Sequence, residues 1–304
     1  MVLRAATLSL LWLLLSVAAC TQRSSFKAIV NGGDAGGLAR AQPVDEHFDS
    51  AALERVPADA SAASLRALVV MRHEHIVFER YGHGIDARSE LDLGQFAQVL
   101  LALATGAAVR DDLFPLPARS EFDAVKLRDA IANGAHQSYP DYLSMNLWRR
   151  LNAAPAWISL SGAGGPVPAD CCFHAQLMDW MRVAELLSEN GRFEGKQVIA
   201  PDWIERMCRP VSADRKQGFG VQLAASAHGA EPFEIEDVFF LRGPGHWRMW
   251  IVPSLQLAVL FGADEKATAD SWDETRLLNL VTRALTDRPA QKEQSKLQQL
   301  VPGH

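Results

Sequence analysis

Two short runs constrain this chain more than any other feature: Leu68-Val69-Val70-Met71-Arg72 and Ile76-Val77-Phe78-Glu79-Arg80-Tyr81. Both are β-branched and aromatic, and only His73-Glu74-His75 separates them, so residues 65–81 are predicted to form a β-hairpin. An isolated hairpin is marginal in water and needs partner strands and a covering layer. The partners come late in the chain. Residues 218–223, 237–241, 247–252 and 255–261 read as short strands, with Pro253-Ser254 in the last turn. Residues 272–285 read as a closing helix with Leu277, Leu278, Leu280, Val281 and Leu285 as its apolar stripe. The expected class is α+β. One mixed antiparallel sheet joins the N- and C-terminal strands, flanked by the terminal helix on one face and a helical lobe on the other.

That lobe spans about residues 93–210. Residues 93–108 are apolar and alanine-rich, as in a buried helix. Residues 122–134 carry Val125, Leu127, Ala130 and Ile131 at helical spacing, and residues 139–151 carry Tyr142, Leu143, Leu147 and Trp148. Residues 173–190 read as a third helix ending at Gly191, and a fourth starts at Pro201. No internal repeat is visible.

With 304 residues, 48% hydrophobic and 22% charged, the chain can build one sizeable core. Its net charge is −6, and no basic run interleaves with aromatics, which gives nucleic-acid binding no support. Residues 1–19 lie outside the fold. Arg4 precedes an apolar stretch from Leu8 to Val17 that is too short for a permanent span, and Val17-Ala18-Ala19-Cys20 follows. Small residues before a cysteine resemble a bacterial lipoprotein signal, which implies lipidation at Cys20 and a membrane anchor there. An ordinary secretory signal is the alternative. Thr21, not Asp, follows the cysteine, so the resemblance implies an outer-membrane lipoprotein of the bacterial envelope facing the periplasm. Residues 20–60, with Asn31-Gly32-Gly33-Asp34-Ala35-Gly36-Gly37, read as a flexible tether. The domain is expected over 61–287, with a polar tail over 288–304.

Three further cysteines remain in an oxidising compartment: Cys171, Cys172 and Cys208. Vicinal cysteines rarely bridge each other, so Cys208 with one of the pair is the expected disulfide. His73 and His75 flank the hairpin turn with no third ligand in view and are expected to be solvated. No metal or cofactor is expected.

Several segments carry a family resemblance. Ser138-Tyr139-Pro140-Asp141-Tyr142-Leu143 through Trp148-Arg149-Arg150-Leu151, Cys172-Phe173-His174-Ala175-Gln176-Leu177-Met178-Asp179-Trp180-Met181-Arg182, and Asn190-Gly191-Arg192-Phe193-Glu194-Gly195 through Trp203-Ile204 are three of them. Gly218-Phe219-Gly220, Arg242-Gly243-Pro244-Gly245-His246, Trp250-Ile251-Val252-Pro253 and Leu257-Ala258-Val259-Leu260 complete the set. Together they resemble the serine hydrolases related to class C β-lactamases and penicillin-binding proteins, on the side of the esterases and aminohexanoate-oligomer hydrolases. The resemblance covers about residues 65–285 and implies a β-lactamase/transpeptidase-like fold.

It also implies a Ser-x-x-Lys at a helix start, a tyrosine that shuttles the proton, and a Lys-Thr-Gly strand beside them. Aligning Gly106 with the glycine that ends the nucleophile helix puts Gln95 at the serine and Gln98 at the lysine. Neither amide can act as nucleophile or base. Only about two dozen residues separate Gln98 from Phe122, so the helical lobe is reduced, and Phe122 is the nearest remnant of the tyrosine. Leu241-Arg242-Gly243 stands at the Lys-Thr-Gly position, where Arg242 is expected to keep a positive charge near the pocket. His246 is expected to be a packing residue beside Trp247. Ser24-Ser25-Phe26-Lys27 has the right spacing but no apolar helix behind it, and is read as chance. No catalytic residue is assigned. The expectation is a lipid-anchored pseudoenzyme that binds a cell-wall fragment, peptide or envelope protein. The alternative is a hydrolase with a rearranged site built on His246, Arg242 or a cysteine.

Overall fold

The computed structural model describes residues 26–59, 65–115, 122–264 and 273–287. The signal, Cys20, Ser24, Ser25 and the 288–304 tail lie outside the described residues.

The hairpin forms as expected. β2 (Leu65–Arg72) and β3 (His75–Tyr81) pair antiparallel with a register shift at Val70/Met71. The turn is His73-Glu74, both at positive φ (46° and 68°), the backbone sense that matches strand twist in a two-residue hairpin. The two histidines are not merely solvated. His73 Nδ1 lies 2.6 Å and His75 Nδ1 3.1 Å from the Glu46 carboxylate, which corrects the sequence reading.

β2 joins β12 (Leu257–Ala263), which pairs with β11 (Arg248–Val252) and β10 (Phe239–Arg242), with β9 (Gln222–Leu223) at the edge. This six-stranded sheet has the order β3-β2-β12-β11-β10-β9, and its pairs are antiparallel. Side chains alternate between two cores. Ala67, Val69, Met71, Leu241, Met249, Ile251, Ala258 and Leu260 face the helical lobe. Leu68, Val70, Phe240, Trp250, Val252, Leu257 and Val259 face the opposite layer. The terminal helix α7 (Glu274–Arg283) fills that layer with Leu277, Leu278 and Val281, each burial contributing about 1.5–3 kcal/mol. Asp273 caps it, accepting from the Thr275 and Arg276 N–H groups.

Residues 26–59 are not a tether. β1 (Lys27–Val30) buries Val30, and α1 (Ser50–Asp59) buries Leu53 and Val56 beside α7. Gly32 passes so close to residues 153–155 that a Cβ would lie 2.3 Å from the Ala153 carbonyl oxygen. Its composition reads as loose chain, yet the segment is held by contacts far away in sequence.

In the lobe, α2 (Ala97–Arg110), α3 (Ala124–Ala135), α4 (Tyr139–Leu143) and α6 (Pro201–Met207) stand where periodicity places helices. The third expected helix begins later. Residues Phe173–Gln176 are β6, and α5 runs Leu177–Ser188. β6 belongs to a second sheet, β1-β5-β6-β4, with β4 at Glu90–Asp92 and β5 at Ala156–Ser159. This sheet was not expected, because its strands are only three or four residues long. The buried Asp179 and Arg182 of α5 lie 3.3 Å apart and fasten the chain reversal beyond α4: Asp179 accepts the Ala154 N–H, and Arg182 donates to the Leu151 carbonyl.

Candidate functional site

Gln95 lies in a single 3₁₀ turn, Gly94–Phe96, that leads into α2. The Asp92 carboxylate accepts the Gly94 N–H at 2.9 Å and sets the turn. Phe96 anchors it from below, fully buried and edge-on to Trp180 with ring centroids 5.5 Å apart. Gln95 is left exposed and Gln98 half-buried, while Phe96, Ala97 and Val99 between and beside them are buried.

Two glycines bring other segments onto this turn. A Cβ on Gly243 would meet the Leu93 carbonyl oxygen at 3.2 Å and the Phe96 ring at 3.4 Å, so the turn after β10 lies directly over the start of α2. Gly220, at φ 78°, presses on α2 so closely that a Cβ would meet Ala102 at 2.6 Å and the Gln98 carbonyl at 2.9 Å. Phe122 closes the same place. Its ring packs edge-on to Phe219 at 4.9 Å, and Phe219 in turn packs against Trp203. Gly220 thus brings the Phe122 ring and the Gln98 backbone to one place, so Phe122 puts an apolar edge beside the Gln98 turn.

Arg242 does not join them. Strand alternation puts Leu241 in the core under the helical lobe and turns Arg242 to the other face, over the Phe240 ring. There its guanidinium donates to the Glu274 carboxylate at 2.9 Å. The expected positive charge near the pocket is therefore corrected: Arg242 belongs to the terminal-helix layer. Arg248 reaches the same carboxylate, which is 1% exposed. Burial pushes the Glu274 carboxyl up, but Arg242 and Arg248 outweigh it and hold it below the ordinary range. His246 is buried in the turn before β11, where a packing residue was expected.

The cysteine expectation is also corrected. Cys171 and Cys172 are bonded to each other, and Cys208 is free. Cys172 sits at φ 65°, a backbone state that sequence spacing cannot reveal. Burial pushes the Cys208 thiol up to about 12, so it is protonated and unreactive at neutral pH.

A concavity lies elsewhere. A groove of about 1110 Å³ runs between the C-terminal end of α5, the length of α6 and the β9–β10 edge. Leu223, Val238 and Phe239 give it apolar wall. Glu189, Asp202, Glu205, Glu236 and Asp237 line it against two arginines, Arg192 and Arg215, which makes its field negative. Burial raises the Glu189 carboxyl above its ordinary range against the Gln256 hydrogen bond. Sequence reasoning missed this groove because its walls come from at least five separated segments between residues 188 and 256.

No family model and no curated protein matches the chain. Solved structures do. A putative 6-aminohexanoate-dimer hydrolase from Bacillus anthracis superposes with a TM-score of 0.62 at 11% identity, covering 91% of this chain and 92% of that one. A penicillin-binding protein homologue from Caulobacter crescentus gives 0.57 at 11%, covering 85% of this chain and 100% of that one. A family VIII carboxylesterase gives 0.57 at 11% with the same coverages. The fold is that of the β-lactamase and penicillin-binding-protein-like serine hydrolases, as expected.

Proposed function

We propose that this chain is a lipid-anchored envelope protein that keeps a β-lactamase-like scaffold and works by binding rather than by Ser-x-x-Lys chemistry. Cys20 would carry the lipid, and the domain would face the periplasm. One observation supports the reading: the sequence resemblance puts Gln95, Gln98 and Phe122 at the serine, lysine and tyrosine positions, and Phe122 packs on Phe219 beside the Gln98 turn. A glutamine amide supplies neither nucleophile nor base.

The place for a ligand is then the acidic groove rather than the Gln95 turn. Five carboxylates against two arginines suit a cationic ligand, such as a cell-wall peptide with a free side-chain amine or a basic segment of an envelope protein. Thermal melting of the purified chain with lysine-bearing cell-wall peptides tests this. Saturation at one hundred times Kd adds about 2.7 kcal/mol of stability, read as a dose-dependent rise in Tm. Asp202→Asn with Glu236→Gln should abolish the rise. No shift with any cationic peptide would favour a purely structural envelope role.

The competing reading is a hydrolase with a rearranged site. Two of its candidates lose support. Cys172 is tied into the disulfide, and Arg242 faces Glu274.

A further inference from the structure

The small sheet β1-β5-β6-β4 has a buried face and an outer face, and its outer face carries chemistry that the resemblance does not account for. Val30, Ile158, Phe173 and Ala175 point into the core. The alternate residues Lys27, Trp157, Ser159, His174, Glu90 and Asp92 share the opposite face, as the cross-strand pairs Lys27–Ser159, Trp157–His174 and Asp92–His174 require.

On that face the Ser159 Oγ lies 2.9 Å from His174 Nε2. The imidazole is held flat. It stacks on the Trp157 ring, 3.6 Å between centroids and 5° from parallel, and the Lys27 ammonium sits 3.5 Å over the same tryptophan. The indole N–H in turn donates to Glu90 at 3.3 Å. Asp92 approaches the same imidazole nitrogen at 3.9 Å, too far for a hydrogen bond. Burial lowers the His174 pKa, with Lys27 adding to the effect and Asp92 and Glu90 opposing it. The imidazole is therefore neutral at pH 7 and can accept the serine proton. Ser159 and His174 are both half-buried, within reach of solvent.

We propose that Ser159 and His174 form a nucleophile–base pair that accepts the acyl group of a small carboxylic ester. Ser159 Oγ forms the new bond to the carbonyl carbon, and its proton passes to His174 Nε2. The tetrahedral intermediate breaks the bond to the alcohol oxygen, which takes the proton from Nε2. Water then attacks the acyl-serine by the same proton path and releases the acid. Lys27, the cross-strand partner of Ser159, places positive charge beside the developing oxyanion. The half-buried outer face sets the substrate class: it takes small, unhindered esters with a good leaving group. This site is separate from the acidic groove, and it borders the Gln95 turn through Asp92, which also accepts the Gly94 N–H.

The test is covalent. The purified full chain is treated with p-nitrophenyl acetate and, separately, with a fluorophosphonate probe, and the adduct is mapped by peptide mass. The expected result is one adduct on the peptide holding Ser159, absent in Ser159→Ala and formed about 100-fold more slowly in His174→Gln. Ser159→Cys keeps a nucleophile in place and should still be acylated, which separates lost chemistry from lost folding. No adduct on the parent protein, an adduct that survives Ser159→Ala, or an unreactive Ser159→Cys with the parent's melting curve would each overturn the proposal. None of these outcomes bears on ligand binding in the groove, because neither residue lines it.

Discussion

Arg242 donates to Glu274 on the face of the large sheet that carries the terminal helix, the face turned away from the helical lobe. The contact removes a cation from the helical-lobe side and puts it under the terminal helix. Arg248 shares the same carboxylate, so one buried acid balances two guanidinium groups.

Glu274→Gln should therefore destabilise the fold strongly, by about 3–5 kcal/mol, because it leaves buried Arg248 without its counter-charge. The depressed carboxyl also sets a sign. Its stabilisation is present above the unfolded carboxylate pKa and is lost as pH falls through the lower folded value. Urea unfolding of both proteins between pH 3 and pH 7 checks this: the gap between them should shrink as the pH drops.

Restoring the motif should not restore the chemistry. The double variant Gln95→Ser, Gln98→Lys places a hydroxyl and an amine one turn apart, but Phe122 still stands where the tyrosine is needed, and Leu241 is buried at the lysine position of the neighbouring strand. Incubation with a fluorescent penicillin should give no stoichiometric label on the parent or on the variant. Full labelling of the variant would show that Phe122 does not block the site.

Phe122→Ala should cost about 1–2 kcal/mol, below the 3–5 of a fully buried phenylalanine, because the ring is only half-buried. It removes the contact to Phe219 and opens the Gln98 side of the turn. Denaturant melts give the cost, and faster amide exchange at the start of α2 would report the opening.

Glu185 on α5 offers the opposite pH sign. Burial pushes its carboxyl up to about 8, Glu74 adds to the rise, and the Glu194 N–H and Arg182 oppose it. A raised acid is fully compatible with the fold below its unfolded pKa of about 4.3 and becomes a burden as pH climbs toward 8. Glu185→Gln keeps an acceptor for the Glu194 N–H. It should stabilise the protein by on the order of 2–4 kcal/mol at pH 8 and by far less at pH 5. Equal shifts in Tm at the two pH values would contradict the burial effect.

Much of the fold was legible because its signals are local. The hairpin strands, the α2, α3 and α4 segments and the stripe of α7 follow from period and turn residues within a short window. The assignment of Gln95, Gln98 and Phe122 rests on sequence in the same way, through the spacing from Gly106 and the loss of hydroxyl and amine. The strands β1, β5 and β6 were not. Each is too short to show a period, and β6 runs into α5 without a break, so only cross-strand pairing reveals them.

The sequence by itself determined the order of the elements and the loss of the serine, lysine and tyrosine, because residue identity decides what a side chain can do as nucleophile or base. Only the tertiary structure decided where the remaining chemistry points. The alternation of one strand turned Arg242 away from the helical lobe, and the packing of residues 26–30 against β5 made a strand of apparent tether. Pairing of β5 with β6 set Ser159 against His174. Each depends on partners far apart in the chain, whose register is set by burying one face of a sheet, and no local window of sequence contains that information.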